Sequence, residues 1–228
     1  VRAFQKNSLL YNEYLIEVLE EYANLLISEN KKYNLTRIIS PEDIVVKHFV
    51  DSIKGVEELY RSGFSILRNT HFGRFPSTYL IDLGSGAGFP GIPLILYDLL
   101  CKPAPLIDKL LLVESNRKKT NFLGLVNYMI NDKISQTDVL VDIYNKRIES
   151  LKLNIHEKTN VLIVSRAAGK ISKILEYICT FFYLNVPCKE EAPPWYFLYY
   201  AGKQAPVNIR GLVKGFDKSK DLLVSASI

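Results

Sequence analysis

The chain has 228 residues, a formal net charge of +5 at pH 7 and an isoelectric point near 8.9. Its three cysteines form no close pair and its three histidines lack metal-ligand spacing, which argues against a disulfide scaffold or a metal site. No apolar run has membrane-spanning length and the first residues show no signal-peptide pattern, so we expect a soluble protein of a reducing, cytoplasmic compartment. The modest positive charge weakly favours an anionic partner.

The first part of the chain predicts helices. Residues 8–29 place apolar side chains at helical spacing, with glutamates between them. A second helix is expected after Pro41, because a proline followed by Glu42 and Asp43 favours a helix start. A polar and basic connector follows at 68–76. We therefore expect a helical extension with its connector over 1–76 and one larger domain over 77–228, within one compact unit.

From residue 79 the pattern alternates between apolar strands and helices. The predicted strands are 79–83, 109–114, 139–144, 160–165 and 195–201. The predicted helices lie near 91–100, 117–130 and 171–182. Two short apolar runs, 209–216 and 222–224, are expected to add an antiparallel hairpin. This alternation predicts an α/β fold with a doubly wound, mostly parallel, seven-stranded sheet that binds its ligand at the carboxyl ends of the strands.

The loop after the first of these strands has a glycine at every second position. Glycine costs backbone entropy, so the alternation indicates a backbone that turns sharply and closely approaches a nucleotide-like ligand. The stretch from Gly86 to Gly91 satisfies the dinucleotide pattern G-x-G-x-x-G, which is a weak signal by itself. The register Asp82-x-Gly84-x-Gly86-x-Gly88 instead resembles the first motif of class I S-adenosylmethionine-dependent methyltransferases. The Asp82 carboxylate would repel a pyrophosphate but could help to hold a cationic ligand, so we assign these four residues to S-adenosylmethionine.

Two further predicted strands end in side chains that are candidates for binding the ligand. Glu114 follows the apolar run 110–113, where a carboxylate can accept hydrogen bonds from both ribose hydroxyls. This feature does not separate NAD from S-adenosylmethionine, because both contain a ribose. Arg166 lies shortly after the wholly apolar run 161–164, so we expect it over the ligand, where its guanidinium suits a carboxylate or a phosphate.

Several segments together resemble the bacterial small-subunit rRNA guanine-N7 methyltransferase family, known as RsmG or GidB. They are Tyr33-Asn34-Leu35-Thr36-Arg37-Ile38, Lys47-His48-Phe49-Val50-Asp51-Ser52, the glycine loop extended by Phe89-Pro90-Gly91-Ile92-Pro93-Leu94, Glu114-Ser115-Asn116-Arg117-Lys118-Lys119, Phe122-Leu123, Arg147-Ile148-Glu149 and Val164-Ser165-Arg166-Ala167. Three features depart from the family pattern. Asn160 stands where the family usually has an acidic residue, and the family's C-terminal Lys-Gly reads Ala201-Gly202-Lys203, so that Gly202-Lys203 is only a faint echo of it. The insertion 101–109 and the connector 63–76 are longer than is typical of the family.

The resemblance implies a cofactor and a substrate. The implied cofactor pocket is formed by Gly84, Phe89, Glu114, Ile148, Glu149 and Arg166. The implied reaction is methylation of N7 of one guanosine, conventionally numbered 527, in the 530 loop of 16S rRNA. The partner would be 16S rRNA or a precursor of the small ribosomal subunit, and we expect a monomer that needs no metal and no membrane. Alternatives are a class I methyltransferase that acts on another RNA or a small molecule, and an NAD-dependent oxidoreductase.

The proposed nucleophile limits what the protein must supply. N7 of guanine has an in-plane lone pair and no proton, so its methylation needs no general base and can rely on positioning. No obvious base follows the fourth strand, which fits this chemistry, and our positioning candidates are Arg166 and His48. For 117–119, a solvated helix face is an equally good interpretation. The candidate RNA contacts are Lys47, Arg117, Lys118, Lys119 and Lys203.

Overall fold

The structure is a computed structural model that describes residues 1–61, 77–134, 140–153, 155, 159–166, 171–185 and 195–200. The N-terminal segment is helical, as predicted. A short helix α1 covers Arg2–Lys6 and a long helix α2 covers Glu13–Tyr33. Periodicity placed the start of the long helix at residue 8, but the Asn12 side chain caps it by accepting a hydrogen bond from the Leu15 amide at 2.7 Å. The left-handed backbone of Asn34 (φ 51°) ends it.

The second predicted helix begins at Pro41, where the Ser40 side chain accepts a hydrogen bond from the Asp43 amide at 3.1 Å. Its middle is π-helical, a wider turn that often occurs at functional sites, and this stretch carries Lys47 and His48. The parts in chain order are α3 (Pro41–Asp43), the π-helical stretch (Ile44–Val50) and α4 (Asp51–Arg61).

Five parallel strands form one sheet in the order β3-β2-β1-β4-β5. The strands are β1 (Thr78–Leu83), β2 (Lys109–Val113), β3 (Leu140–Tyr144), β4 (Asn160–Arg166) and β5 (Trp195–Tyr200). The helices that connect them are α5 (Gly91–Cys101), α6 (Arg117–Lys133) and α7 (Ile171–Asn185). The α/β, doubly wound prediction is confirmed, with five strands in the described residues. The last two of the seven predicted strands, 209–216 and 222–224, lie outside them.

The chain changes direction across the sheet between β1 and β4, because β2 and β3 lie on one side of β1 while β4 and β5 lie on the other. Ligands of such sheets bind outside the carboxyl ends of the strands, at this point of reversal. The topology therefore places the ends of β1, β2 and β4 around one crevice.

Both faces of the sheet are buried. One face, which includes Leu80, packs against the N-terminal helices, α5 and α6. The other face, which includes Ile81, packs against α7 and against Ile148, Leu151 and Ile155. Since alternate residues of a strand point to opposite faces, a sheet covered on both sides needs the unbroken apolar runs that the sequence contains. The division of the chain at residue 76 stays a prediction. Across the described ranges, no helix is both long and apolar enough to cross a membrane.

Candidate cofactor site

The glycine loop adopts a backbone conformation that residues other than glycine rarely adopt. Gly84, Gly86 and Gly88 have φ values of 71°, 60° and 95°, in the left-handed region that favours glycine. The amides of Gly84 and Ser85 donate hydrogen bonds to the Val113 carbonyl, at 2.9 and 3.2 Å. The loop is thereby fixed over the end of β2.

The glycines of the loop serve different purposes. A Cβ atom at Gly86 would meet only the Gly84 carbonyl oxygen within 4 Å, at 3.8 Å, so this side of the loop is open. A Cβ at Gly88 would lie 2.5 Å from both Ile92 Cδ1 and the Tyr22 hydroxyl oxygen. Gly86 therefore leaves room for a ligand, whereas close packing explains Gly88. A cofactor contact of Gly88 stays a prediction.

Asp82 lies beneath the loop and is fully buried. Its Oδ2 accepts a hydrogen bond from the Gly91 amide at 2.9 Å, whereas Oδ1 has no hydrogen-bond partner among the groups that the structure describes. Burial raises the pKa of Asp82 to about 7, although the Gly91 amide and the Arg166 guanidinium lower it. A buried carboxylate with one free oxygen fits a cationic ligand group, because such a group would stabilise the ionised form.

Glu114 joins the loop to the end of β2. One carboxylate oxygen accepts from the Gly86 amide at 3.0 Å, and the other accepts from the Asn116 amide at 2.8 Å. The side chain of Asn145 donates to the carbonyls of Glu114 and Ser115, at 3.1 and 3.0 Å. Each carboxylate oxygen retains a lone pair for a further donor, as the ribose assignment requires.

A cavity of about 280 Å³ opens beside Glu114 at the carboxyl ends of β1 and β2. Four of the predicted cofactor residues line it: Gly84, Glu114, Ile148 and Glu149. The remaining predicted cofactor residues are outside its lining: Asp82, Gly86, Gly88, Phe89 and Arg166. Sequence reasoning did not assign Lys146, Arg147 or Tyr177, which also line the cavity. Arg147 was part of a family motif, but no signal marked Tyr177, whose place depends on how α7 packs.

Arg166 binds the N-terminal segment. Its Nη2 lies 2.7 Å from Asp51 Oδ2 and donates to Ser52 Oγ at 3.1 Å, and its Nη1 donates to the Lys47 carbonyl at 3.1 Å. The Lys47 ammonium pairs with Asp43 at 2.9 Å. Arg166 therefore ties the end of β4 to the π-helical stretch and to the start of α4. The predicted contacts of Arg166 with the cofactor and of Lys47 with RNA stay predictions.

His48 stacks on the ring of Phe89 at the end of the glycine loop. The ring centroids are 4.1 Å apart and the ring planes differ by 7°. His48 Nε2 also lies 3.1 Å from the Thr36 hydroxyl oxygen. Burial, followed by the charge of Arg166, lowers the pKa of His48 to about 4. The imidazole is thus neutral at pH 7 and supports the loop through packing.

The basic residues 117–119 begin α6. The Asn116 side chain caps this helix by accepting from the amides of Lys118 and Lys119, at 2.9 and 3.3 Å. Cations in a first helical turn oppose the helix dipole. In the part of the chain that the structure describes, Arg117, Lys118 and Lys119 form no ion pair, so an anionic partner could engage all three. Lys203 lies outside the described residues.

The parallel sheet, its point of reversal and the glycine loop define an α/β domain of the class I methyltransferase type. The chain belongs to the GidB family, described as rRNA small subunit methyltransferase G, whose family profile matches residues 15–185.

Individual relatives agree with the family profile. The ribosomal RNA small subunit methyltransferase G of Mycoplasma capricolum is 38% identical over 165 residues, which are 72% of this chain and 59% of that protein. The protein of the same name from Mesoplasma florum is 34% identical over 75% of this chain and 60% of its own length. The one from Aquifex aeolicus is 34% identical over 77% and 75%. The chain thus spans about three fifths of the length of the first two relatives.

Proposed function

We propose that this protein transfers a methyl group from S-adenosylmethionine to N7 of a guanosine in small-subunit rRNA, the guanosine conventionally numbered 527 in the 530 loop. The observation that most directly supports this proposal is the open space at Gly86, next to the Glu114 carboxylate at the carboxyl ends of β1 and β2. The names of the relatives, each an rRNA small subunit methyltransferase, support the substrate class.

The residues present fit this cofactor. Glu114 would accept hydrogen bonds from the ribose hydroxyls, and a cationic group of the ligand would stabilise the ionised form of the buried Asp82 carboxyl. Ile148 and Glu149 line the cavity beside Glu114. When bound, S-adenosylmethionine supplies an electrophilic methyl group on a sulfonium. The protein then needs to hold the guanine in line with that methyl group and to exclude water.

The described side chains suit a reaction without a general base. N7 carries no proton, so nothing has to be removed during its attack. His48 is neutral at pH 7 and buried against Phe89, and Arg166 is engaged by Asp51 and Ser52. Both residues would shape the site through the π-helical stretch and the loop, in keeping with positioning roles.

A second candidate is a class I methyltransferase acting on another RNA or a small molecule. Among the described residues, Arg117, Lys118 and Lys119 form no ion pair, and they lie close along the chain to the cavity residues Glu114 and Ser115. This favours a polyanion over a small substrate. An NAD-dependent oxidoreductase is the weaker alternative, because the buried carboxylate of Asp82 beneath the loop opposes a pyrophosphate.

Ligand-dependent thermal stability tests the cofactor. S-adenosylhomocysteine at one hundred times its Kd is expected to stabilise the folded state by about 2.7 kcal/mol, because it binds only the folded chain. For a domain of this size that corresponds to a rise in Tm of roughly 5–10 °C. NAD at the same concentration serves as the control and should leave Tm unchanged. A rise with NAD and none with S-adenosylhomocysteine would reverse the assignment.

Salt-dependent RNA binding tests the cluster at the start of α6. Changing Arg117, Lys118 and Lys119 to alanine should weaken binding to small-subunit rRNA and reduce the slope of log K against log salt by about 2–3, since each lost phosphate contact removes about 0.7–0.9 from the slope. Affinity for S-adenosylhomocysteine should stay within twofold.

The matched control for this cluster removes the same charge elsewhere. Lys6, Lys31 and Lys152 are exposed and scattered, so their triple alanine variant should retain most of the affinity and slope. If both triple variants bind RNA with the same slope, residues 117–119 are a solvated helix face.

The pH profile tests the chemistry. With saturating S-adenosylmethionine, the single-turnover rate of methyl transfer is expected to vary less than about twofold between pH 6.5 and 9, because N7 needs no base. His48 does not titrate in this range, since burial lowers its pKa to about 4. Observing a single-proton limb that disappears in His48→Gln would instead make His48 a general base.

A further inference from the structure

The long N-terminal helix α2 packs against the glycine loop. Tyr22, in the middle of α2, is fully buried and donates its hydroxyl hydrogen to the Ala87 carbonyl. Burial, together with the nearby charge of Asp82, raises the pKa of Tyr22 well above its usual value, so the hydroxyl remains a donor throughout the physiological range.

The ring of Tyr22 also supports the loop. It stacks on Phe89 with ring centroids 5.4 Å apart and an interplanar angle of 19°, and it packs against Phe49 at 5.6 Å. His48 stacks on Phe89 as well. Phe89, at the end of the loop, is thus enclosed by aromatic side chains from α2 and the π-helical stretch, and offset aromatic pairs of this kind are favourable beyond their burial alone.

Two peptide units of the glycine loop are therefore each fixed by a hydrogen bond to a side chain. Glu114 accepts from the amide of Gly86, and Tyr22 donates to the carbonyl of Ala87. Between these anchors the loop presents the open position at Gly86. The Tyr22 hydroxyl lies so close to Gly88 that a side chain at position 88 would clash with it. The Tyr22 hydroxyl can therefore occupy this place only because residue 88 is a glycine.

The helix that carries Tyr22 is itself fixed to the domain. Lys133, at the end of α6, lies 3.0 Å from both Glu17 and Glu21 on α2, and the Tyr14 hydroxyl donates to the Lys133 carbonyl at 2.5 Å. The position of the Tyr22 hydroxyl is thus set by several contacts outside the loop, as a positioning residue requires.

We propose that Tyr22 is a positioning residue for the cofactor, holding the glycine loop in its binding conformation from the buried side, so that the N-terminal helix is part of the cofactor site. This inference rests on the proposed use of S-adenosylmethionine. The hydroxyl acts through the Ala87 carbonyl, next along the chain to the open position at Gly86.

The test compares Tyr22→Phe with a matched control, Tyr97→Phe. Both tyrosines are fully buried and both hydroxyls donate a hydrogen bond, but Tyr97 lies on α5 and donates to Glu57. Binding of S-adenosylhomocysteine is measured by calorimetry well below the Tm of each variant. Tyr22→Phe should weaken binding roughly three- to tenfold, whereas Tyr97→Phe should stay within twofold despite a comparable fall in Tm.

Amide hydrogen exchange in the unliganded proteins supplies a second readout. Exchange at Gly88 and Phe89 should accelerate in Tyr22→Phe and stay at the parent rate in Tyr97→Phe. Unchanged affinity in Tyr22→Phe overturns the proposal whether or not exchange accelerates, because the hydroxyl would then contribute only to stability. Equal losses of affinity in both variants also overturn it. Failure of the parent protein to bind S-adenosylhomocysteine would instead refute the proposed function.

Discussion

Replacing Gly86 with valine is expected to abolish binding of S-adenosylhomocysteine, with a loss of at least 100-fold in affinity, while the protein remains folded. Among the described residues a Cβ at this position meets only the Gly84 carbonyl oxygen within 4 Å, so the side chain would enter the open space in which we propose that the ligand lies. The positive φ of 60° adds a strain of about 1–2 kcal/mol, which lowers stability but leaves a domain of this size folded.

Calorimetry measures the affinity, and circular dichroism confirms the fold. Gly124→Val is the matched control, because Gly124 lies on an exposed face of α6 and a Cβ there meets nothing within 4 Å. That variant should bind like the parent. Undiminished binding by Gly86→Val would show that Gly86 does not line the cofactor site.

Replacing Glu114 with glutamine is expected to weaken binding of S-adenosylhomocysteine by roughly 100-fold, because hydrogen bonds to charged groups contribute about 1.5–3 kcal/mol each. Both carboxylate oxygens accept backbone amides, from Gly86 and Asn116. A glutamine has a single acceptor oxygen, so its amide group would face one of these N–H donors and could not accept from a ribose hydroxyl.

Glu176→Gln is the control for this substitution, because Glu176 is exposed and pairs only with Lys173 in the described structure. Its affinity should match the parent. A Kd for Glu114→Gln within threefold of the parent would remove Glu114 from the cofactor site. An analogue with a deoxyribose should lose affinity for the parent protein but lose little more with Glu114→Gln, since the partner of the missing hydroxyl is already absent.

Most helices and strands could be predicted from the sequence, because hydrophobic periodicity and helix-start residues act within a few residues of the chain. The run 79–83 predicted a buried strand, and the structure has β1 at Thr78–Leu83. The start of the second N-terminal helix was readable from Pro41 and the acidic residues after it. The start of α2 was missed, since hydrophobic periodicity continues through residues 8–12 while the capping hydrogen bond of Asn12 decides where the helix begins.

Some residues of the candidate site could likewise be predicted from local sequence patterns, whereas others could not. A glycine loop after a buried strand and a carboxylate after the next strand are spacings along the chain, and they indicated Gly84 and Glu114, which line the cavity. The role of Arg166 depended on what lies opposite it. Its strand end was predictable, but its pairing with Asp51 exists because the start of α4, which follows the π-helical stretch, lies against the end of β4.

The amino-acid sequence alone determined the α/β class, the order of the elements along the chain and the family resemblance, because hydrophobic periodicity, glycine spacing and charged strand ends act over a few residues. Only the tertiary structure shows that packing requires a small residue at Gly88 and that Tyr22 contacts the glycine loop. Those contacts join Tyr22 to Ala87 and to Gly88, which are far from it in the chain, and their geometry follows from how α2 packs against α5 and α6. Local patterns carry no information about such distances, because side-chain packing in the core sets them.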